Sequence, residues 1–154
     1  MKTDLLSRYV QNYFLTYMIN QRGYGVNTVA SYRDTFKLLF CFFNETPRVI
    51  ANLSLVDLDK ACILSFLQWL EDVRKNAVST RNVRLAHIKS FFGYVLTVAP
   101  ELMDHCSAII NIPFKKADKK PPTYLTENET KALLRAPDCS SRSGLRHMAI
   151  LRVC

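Results

Sequence analysis

The chain has 154 residues, which is enough for one domain and the start of a second, and it carries a net charge of +8. Hydrophobic residues make up 49% of the chain, which excludes a disordered tail, and only 4 glycines favour helices over a sandwich of strands. The positive charge suits a nucleic acid or an acidic membrane surface, although a merely basic protein would carry it too.

We find no signal for export, membrane insertion or metal binding in the amino-acid sequence. Residues Met1 to Arg8 lack the apolar run of a signal peptide, and no apolar stretch reaches the ~20 residues of a spanning helix. The cysteines have no zinc-site spacing, and Cys41 and Cys62 fall in apolar helical patterns where cysteine is usually a small buried hydrophobe. We therefore expect a soluble cytoplasmic protein with reduced thiols and no metal.

Two helices are predicted in the first part of the chain. The first runs from Asp4 to Asn20 with an aromatic stripe that predicts a core face, and glycines follow it. The second runs to Phe43 from an N-cap at Asn27 or Thr28. Its predicted core face comprises Val29, Tyr32, Phe36, Leu39, Phe40 and Phe43, and its outer arc comprises Ala30, Ser31, Asp34, Lys37 and Cys41, with Thr28 and Arg33 near its edges. The small and polar outer arc suits either a docking partner or plain solvent.

A loop from Asn44 to Leu55 precedes a third helix, which is predicted from Asp59 to Lys75. Its inward positions are Ile63, Phe66, Leu67 and Leu70, with Trp69 at the flank. An aspartate near its start, Asp57 or Asp59, complements the positive end of the helix dipole.

The fourth helix is predicted from just after Ser79 to Val98. Its core face comprises Leu85, Ile88, Phe92, Val95 and Leu96. Its other arc comprises Asn82, Val83, Ala86, His87, Ser90, Gly93 and Tyr94, flanked by Arg84 and Lys89. Small residues on this arc are expected to leave a shallow surface with polar groups beside it. This shape suits a helix that docks on a groove.

The remaining chain is predicted to hold a short helix, a linker and the start of another unit. The short helix spans Leu102 to Ile110, and the proline- and lysine-rich stretch 111–123 is typical of an extended linker, either solvated or bound to phosphates. Thr126 and Glu129 form the pattern of a capping box before another helix. The last apolar run, Met148 to Val153, stops in mid-pattern, and we expect a truncation there.

Four segments in the same order resemble the phage integrase and tyrosine recombinase family. Residues Gly25 to Asp34 resemble its second-helix signature, and residues Thr80 to Phe92 resemble its fourth helix. Ile112 and Pro113 with the lysines that follow resemble its linker, and residues 124–129 with two leucines beyond them resemble the start of its catalytic domain.

The resemblance implies an all-α fold: an orthogonal four-helix, SAM-like core-binding domain at residues 1–110, a basic linker at 111–123 and the start of a catalytic domain at 124–154. In the family the second and fourth helices lie against DNA and the linker crosses the duplex. This requires that the outer arcs of the two helices do not pack against each other. Contacts with phosphates and bases would come from Thr28, Ser31, Arg33, Lys37, Arg81, Asn82, Arg84, His87, Lys89, Ser90, Lys115, Lys116, Lys119 and Lys120.

The implied function is specific binding of double-stranded DNA for site-specific recombination, alongside other recombinase protomers at the bacterial or phage nucleoid. The alternative is a non-catalytic helical module that binds protein. Attachment to a membrane surface is disfavoured, because the lysine-rich linker lacks the large apolar face of such anchors.

The family cleaves and rejoins DNA through a tyrosine nucleophile, with arginine, lysine and histidine on the developing charge and with no metal or other cofactor. None of those catalytic residues can be assigned here. Ser143 to Arg146 resembles a catalytic arginine motif, but Met148 stands where that motif has glutamate. We therefore interpret Arg146 as structural and expect the chain alone to form no covalent adduct with nicked DNA.

Overall fold

The computed structural model describes residues 5–45, 53–116 and 124–153, and every long element in these ranges is a helix. Helix α1 (Leu6–Asn12) continues as a π-helical segment (Tyr13–Gln21) and is followed by α2 (Val26–Asn44), α3 (Lys60–Asp72), α4 (Val78–Val98), α5 (Met103–Ile110), α6 (Glu127–Arg135) and α7 (Arg142–Val153). Short 3₁₀ turns lie at Leu55–Asp57 and Pro100–Leu102. The all-α prediction is confirmed. The chain divides into two compact units, residues 1–117 and 118–154.

The first predicted helix is present from Leu6, but its second half is wound more widely than an α-helix. The amide of Arg22 donates to the carbonyl of Tyr17 at 2.9 Å, five residues back. Gly23 then adopts a positive φ of 60°, which a residue without Cβ reaches at no steric cost.

The predicted N-cap of the second helix was wrong. Helix α2 already begins at Val26, and Gly25 is the capping residue, without any side-chain cap bond. The close succession of Gly23 and Gly25 turns the chain in so few residues that the helix starts before Asn27 or Thr28 can cap it.

Helix α4 is the central helix of the first unit. It packs against the π-helical segment, α2, α3 and α5. The aromatic core lies here: the rings of Tyr13 and Phe36 both approach Phe91, at centroid distances of 5.4 and 5.2 Å and nearly perpendicular angles. Such edge-to-face pairs stabilise the core by about 1 kcal/mol each beyond the area they bury.

Helix α3 follows the predicted pattern closely. Its predicted inward residues are all buried, and the Asp59 carboxylate accepts a hydrogen bond from the amide of Cys62 at 2.7 Å as the N-cap. The helix ends at Asp72 rather than Lys75. Lys75 has a φ of 52°, and the amide of Asn76 donates to the carbonyl of Leu70 at 3.0 Å, which satisfies one of the carbonyls at the end of the helix.

Helix α4 begins at Val78, slightly earlier than predicted, and its predicted core residues are buried except for Leu96, which is half-buried. The prediction that His87 and Tyr94 lie on an open arc was wrong, because both are buried. Neighbours surround a central helix on several sides, so a polar residue on its second face becomes buried as well. Cys62 is half-buried, whereas Cys41 is exposed, so the expectation of burial fails for Cys41.

The second unit contains α6 and α7. The predicted capping box is confirmed: the amide of Thr126 donates to the Glu129 carboxylate at 2.8 Å, and the amide of Glu129 donates to the Thr126 hydroxyl at 3.3 Å. Gly144 lies so close to the Asp138 carbonyl oxygen that a Cβ there would come within 1.8 Å of it. No helix in the described ranges combines the length and the hydrophobicity needed to cross a membrane.

Candidate nucleic-acid interface

The structure separates the predicted DNA-contacting residues into three groups. Exposed members are Thr28, Arg33, Lys37, Lys115 and Lys116, and half-buried members are Ser31, Asn82, Arg84, Lys89 and Ser90. Arg81 and His87 are buried at 8% and 7% exposure, so these two are poorly placed to touch DNA. Lys119 and Lys120 lie outside the described residues. The role of each residue toward DNA stays a prediction.

The outer arc of α2 is exposed except at Ser31, which is half-buried. Arg33 and Lys37 are exposed one turn apart, and Thr28 is exposed near the start of the helix. Lys37 approaches the Asp34 carboxylate at 3.5 Å, and both side chains are largely in solvent. Such an exposed pair is worth well under about 1 kcal/mol, so Lys37 remains available to a stronger anion.

Where α2 meets α4, three polar side chains form a short chain of hydrogen bonds. The Arg84 Nη1 atom lies 3.0 Å from the Thr35 hydroxyl and 3.2 Å from the Ser31 carbonyl oxygen. The same hydroxyl lies 2.7 Å from His87 Nδ1, and the His87 ring stacks on Tyr32 at a centroid distance of 3.9 Å. The two helices therefore face each other at this edge, while the arc that carries Arg33 stays open.

The direction of these hydrogen bonds follows from the chemistry of arginine. A guanidinium only donates, so the Thr35 oxygen accepts from Arg84 and its own hydrogen is free for His87 Nδ1. Donation to His87 Nδ1, which at 2.7 Å is nearer than the Ser31 carbonyl at 3.3 Å, requires that Nδ1 carries no proton. Burial, followed by the nearby charge of Arg84, lowers the pKa of His87 to about 4, which agrees with that protonation state.

Thr35 was missed in the sequence because it lies on the apolar side of α2, within one turn of Phe36 and Leu39. The available signal was a polar residue on a predicted core face. Buried hydroxyls need a partner, and a residue such as His87 on the next helix in contact can supply it.

Ser90 also points into the fold rather than into solvent. Its hydroxyl lies 2.9 Å from the hydroxyl of Tyr13, and burial raises the pKa of that tyrosine well above its usual value. Tyr13 therefore keeps its proton at neutral pH and stays a hydrogen-bonding core residue.

The start of the predicted linker is held against the helices. We call residues 111–116 the strap. The Asn82 amide donates to the Lys115 carbonyl oxygen at 2.7 Å and accepts from the Lys115 amide at 3.1 Å. Both backbone groups of one strap residue are thus satisfied by one side chain of α4, an arrangement that we call the Asn82 clasp.

A carboxylate beside the clasp neutralises two of the predicted DNA-binding cations. Lys115 Nζ lies 2.5 Å from one oxygen of Glu71, and Arg81 Nε lies 3.5 Å from the other. Arg81 is buried in this ion pair, so its charge balances Glu71 inside the protein. Lys89 lies over the Phe114 ring at 4.4 Å, and partial burial lowers its pKa.

These contacts place the first half of α4 between α2 and the strap. Arg84 reaches α2, whereas Asn82 and Lys89 reach the strap. Between the two sides α4 presents a strip in which Val83 is 49% exposed, Ala86 is half-buried and no atom lies within 4 Å of a Cβ added at Gly93. No group of histidine, cysteine and carboxylate side chains in the described ranges could hold a metal ion.

Comparison with known proteins gives consistent results. The family model described as "Phage integrase, N-terminal SAM-like domain" matches residues 12–97. The chain is 36% identical over 148 residues to y4rD of Sinorhizobium fredii, whose name places it among integrases and recombinases; the match covers 96% of this chain and 53% of that protein.

More distant relatives carry the name tyrosine recombinase. XerC of Herpetosiphon aurantiacus is 33% identical over 146 residues, and XerD of Pseudomonas putida is 29% identical over 140 residues. Each of these matches covers 91% of this chain and 44% of the relative. The chain therefore spans about half the length of the curated relatives it matches. No solved structure matches the chain.

Proposed function

The chain belongs to the phage integrase family of tyrosine recombinases and carries its N-terminal SAM-like domain at residues 12–97, and we propose that it binds duplex DNA for site-specific recombination. The partners in this proposal are double-stranded DNA and other recombinase protomers on the same DNA, at the bacterial or phage nucleoid. The relatives named as integrases and tyrosine recombinases support this proposal.

The observation that carries the proposal is the arrangement around the first half of α4. A strip with Val83 and Ala86 is bordered by Arg84 on the α2 side and by Lys89 on the strap side. Small side chains let a phosphate backbone approach closely, and flanking cations then neutralise it and release counterions. Phosphate contacts of this kind position a protein on the duplex, and groups between them read base edges.

Cations farther out extend this surface. Arg33 on α2 and Lys116 on the strap are exposed, and neither has a carboxylate within 4 Å in the part of the chain that the structure describes. An exposed cation with no carboxylate partner breaks no ion pair within the protein when it binds a phosphate, so little binding free energy is lost. Lys115 and Arg81 contribute less in this proposal, because Glu71 already holds both of them.

Charge reversal tests the proposal. The double variant Arg33→Glu with Lys116→Glu should weaken binding of the full chain to a duplex of random sequence by at least about 10²-fold, because two phosphate contacts become repulsive. Fluorescence anisotropy at several salt concentrations gives the affinity and its salt slope, which should fall by about 1.8 for two lost contacts.

A matched control is Lys60→Glu. Lys60 is exposed at the start of α3, about 16 Å along that helix from Glu71 beside the strap. This reversal should leave the affinity for DNA nearly unchanged after correction for net charge. Wild-type protein that does not bind duplex DNA even at low ionic strength would contradict the proposal and favour the alternative, a helical module that binds protein.

A further inference from the structure

Arg84 and Arg81, the two arginines of α4, differ in the groups that surround their charges. Arg81 faces the carboxylate of Glu71. Arg84 has only neutral partners, the Ser31 carbonyl and the Thr35 hydroxyl, and no carboxylate lies within 4 Å of it among the residues the structure describes. Its Nε atom is buried without a hydrogen-bond partner.

A guanidinium in this state is incompletely compensated. Removing part of a cation from water without an opposite charge costs free energy that an ion pair would offset. The neutral groups fix where the guanidinium lies but leave its charge unbalanced. An anion that arrives at the open strip beside α4 would supply the missing charge, and a phosphate accepts from arginine in the most favourable geometry.

The position of Arg84 depends on Thr35 and His87. Thr35 Oγ1 accepts a hydrogen bond from Arg84, so its own hydrogen must point to another acceptor. Of the two acceptors in reach, His87 Nδ1 at 2.7 Å is nearer than the Ser31 carbonyl at 3.3 Å. The ring of His87 is itself held by its stack on Tyr32. Thr35 and His87 thus fix the guanidinium before any ligand arrives, which lowers the entropic cost of binding.

We propose that Arg84 is a phosphate-binding residue of the DNA interface and that Thr35 and His87 are positioning residues that hold its guanidinium toward the backbone of the duplex. This inference rests on the proposed function. It assigns a role to Thr35, a core residue that would touch no DNA itself.

A double-mutant cycle tests the inference with the full chain and a duplex of random sequence. Arg84→Gln should weaken binding about tenfold and lower the salt slope by about 0.9, as expected for one lost phosphate contact. Thr35→Val, which keeps the shape of the side chain but removes the hydroxyl, should weaken binding severalfold in the wild-type background. In the Arg84→Gln background the same change should have no further effect.

Two further variants separate positioning from folding. Thr35→Ser retains the hydroxyl and should restore most of the affinity that Thr35→Val loses. Circular dichroism and thermal unfolding report whether each variant is folded. An equal loss of affinity from Thr35→Val in both backgrounds means a merely structural role and overturns the inference. An Arg84→Gln variant with unchanged affinity and salt slope overturns it as well.

These outcomes are distinct from failure of the proposed function. Wild-type protein that does not bind the duplex overturns the proposed function and the inference together. Wild-type binding without coupling between Thr35 and Arg84 overturns the inference alone.

Discussion

At the scale of single residues, His87 makes stability depend on pH. Its pKa is lowered from 6.5 to about 4 in the folded chain by burial and by the charge of Arg84. The unfolded chain therefore takes up this proton at a higher pH than the folded chain does. The free energy of unfolding should accordingly fall as the pH decreases from about 6.5 to about 4.

This prediction is checked by urea unfolding at a series of pH values. In the His87→Gln variant residue 87 cannot titrate, so the free energy of unfolding should depend less on pH than in the wild type. The variant His147→Gln is the matched control, because His147 is exposed on α7. Identical profiles for wild type and His87→Gln would show that the imidazole is not held neutral by its surroundings.

His87 and Ser90, which the sequence placed on an open arc, share one property: each is polar and has a specific hydrogen-bond partner on another helix. His87 and Ser90 were expected on an open arc because a hydrophobic pattern registers only apolar side chains. Their partners, Thr35 and Tyr13, lie on other helices, 52 and 77 residues away in the chain. A pairing over that separation depends on tertiary packing and leaves no signal in local periodicity.

At the scale of elements, the Asn82 clasp determines where the strap begins. Its two hydrogen bonds hold the backbone of Lys115 against α4. The peptide bond after Lys115 is therefore protected from a protease, which needs an extended and accessible chain. Asn82→Ala should therefore accelerate tryptic cleavage after Lys115 severalfold without a large loss of thermal stability. Mass spectrometry of timed digests measures the cleavage.

The matched control for the clasp is Asn27→Ala. Asn27 is exposed at the start of α2 and makes no hydrogen bond to the strap in the described ranges, so its replacement should leave the cleavage rate after Lys115 unchanged. Equal cleavage rates for wild type and Asn82→Ala would contradict a role of the clasp in holding the strap.

Elements with a strong local signal were predicted well. The inward face of α3 and the capping box of α6 follow from residues within one or two turns, where side-chain spacing decides the outcome. The wide winding of Tyr13–Gln21 and the cap at Gly25 were not predicted. The cap at Gly25 follows from the turn at Gly23 and Gly25, which starts α2 before Asn27 or Thr28 can cap it.

At the scale of the whole molecule, the sequence supports the proposal of a DNA partner but does not identify the individual contacts. The net charge of +8 and the family motifs indicate a DNA-binding protein, but only the structure separates cations held by Glu71 from cations left without a carboxylate. Net charge alone gives attraction to any polyanion, whereas a particular surface requires that free cations from several elements lie together.

The central claim is that α2, the first half of α4 and the strap form one surface for duplex DNA. Acetylation of lysines, read by mass spectrometry with and without DNA, tests it most directly. We predict that DNA protects Lys37, Lys89 and Lys116 severalfold, whereas Lys60 on α3 reacts equally in both samples. Equal reactivity of all four lysines, or protection confined to Lys60, would contradict the claim.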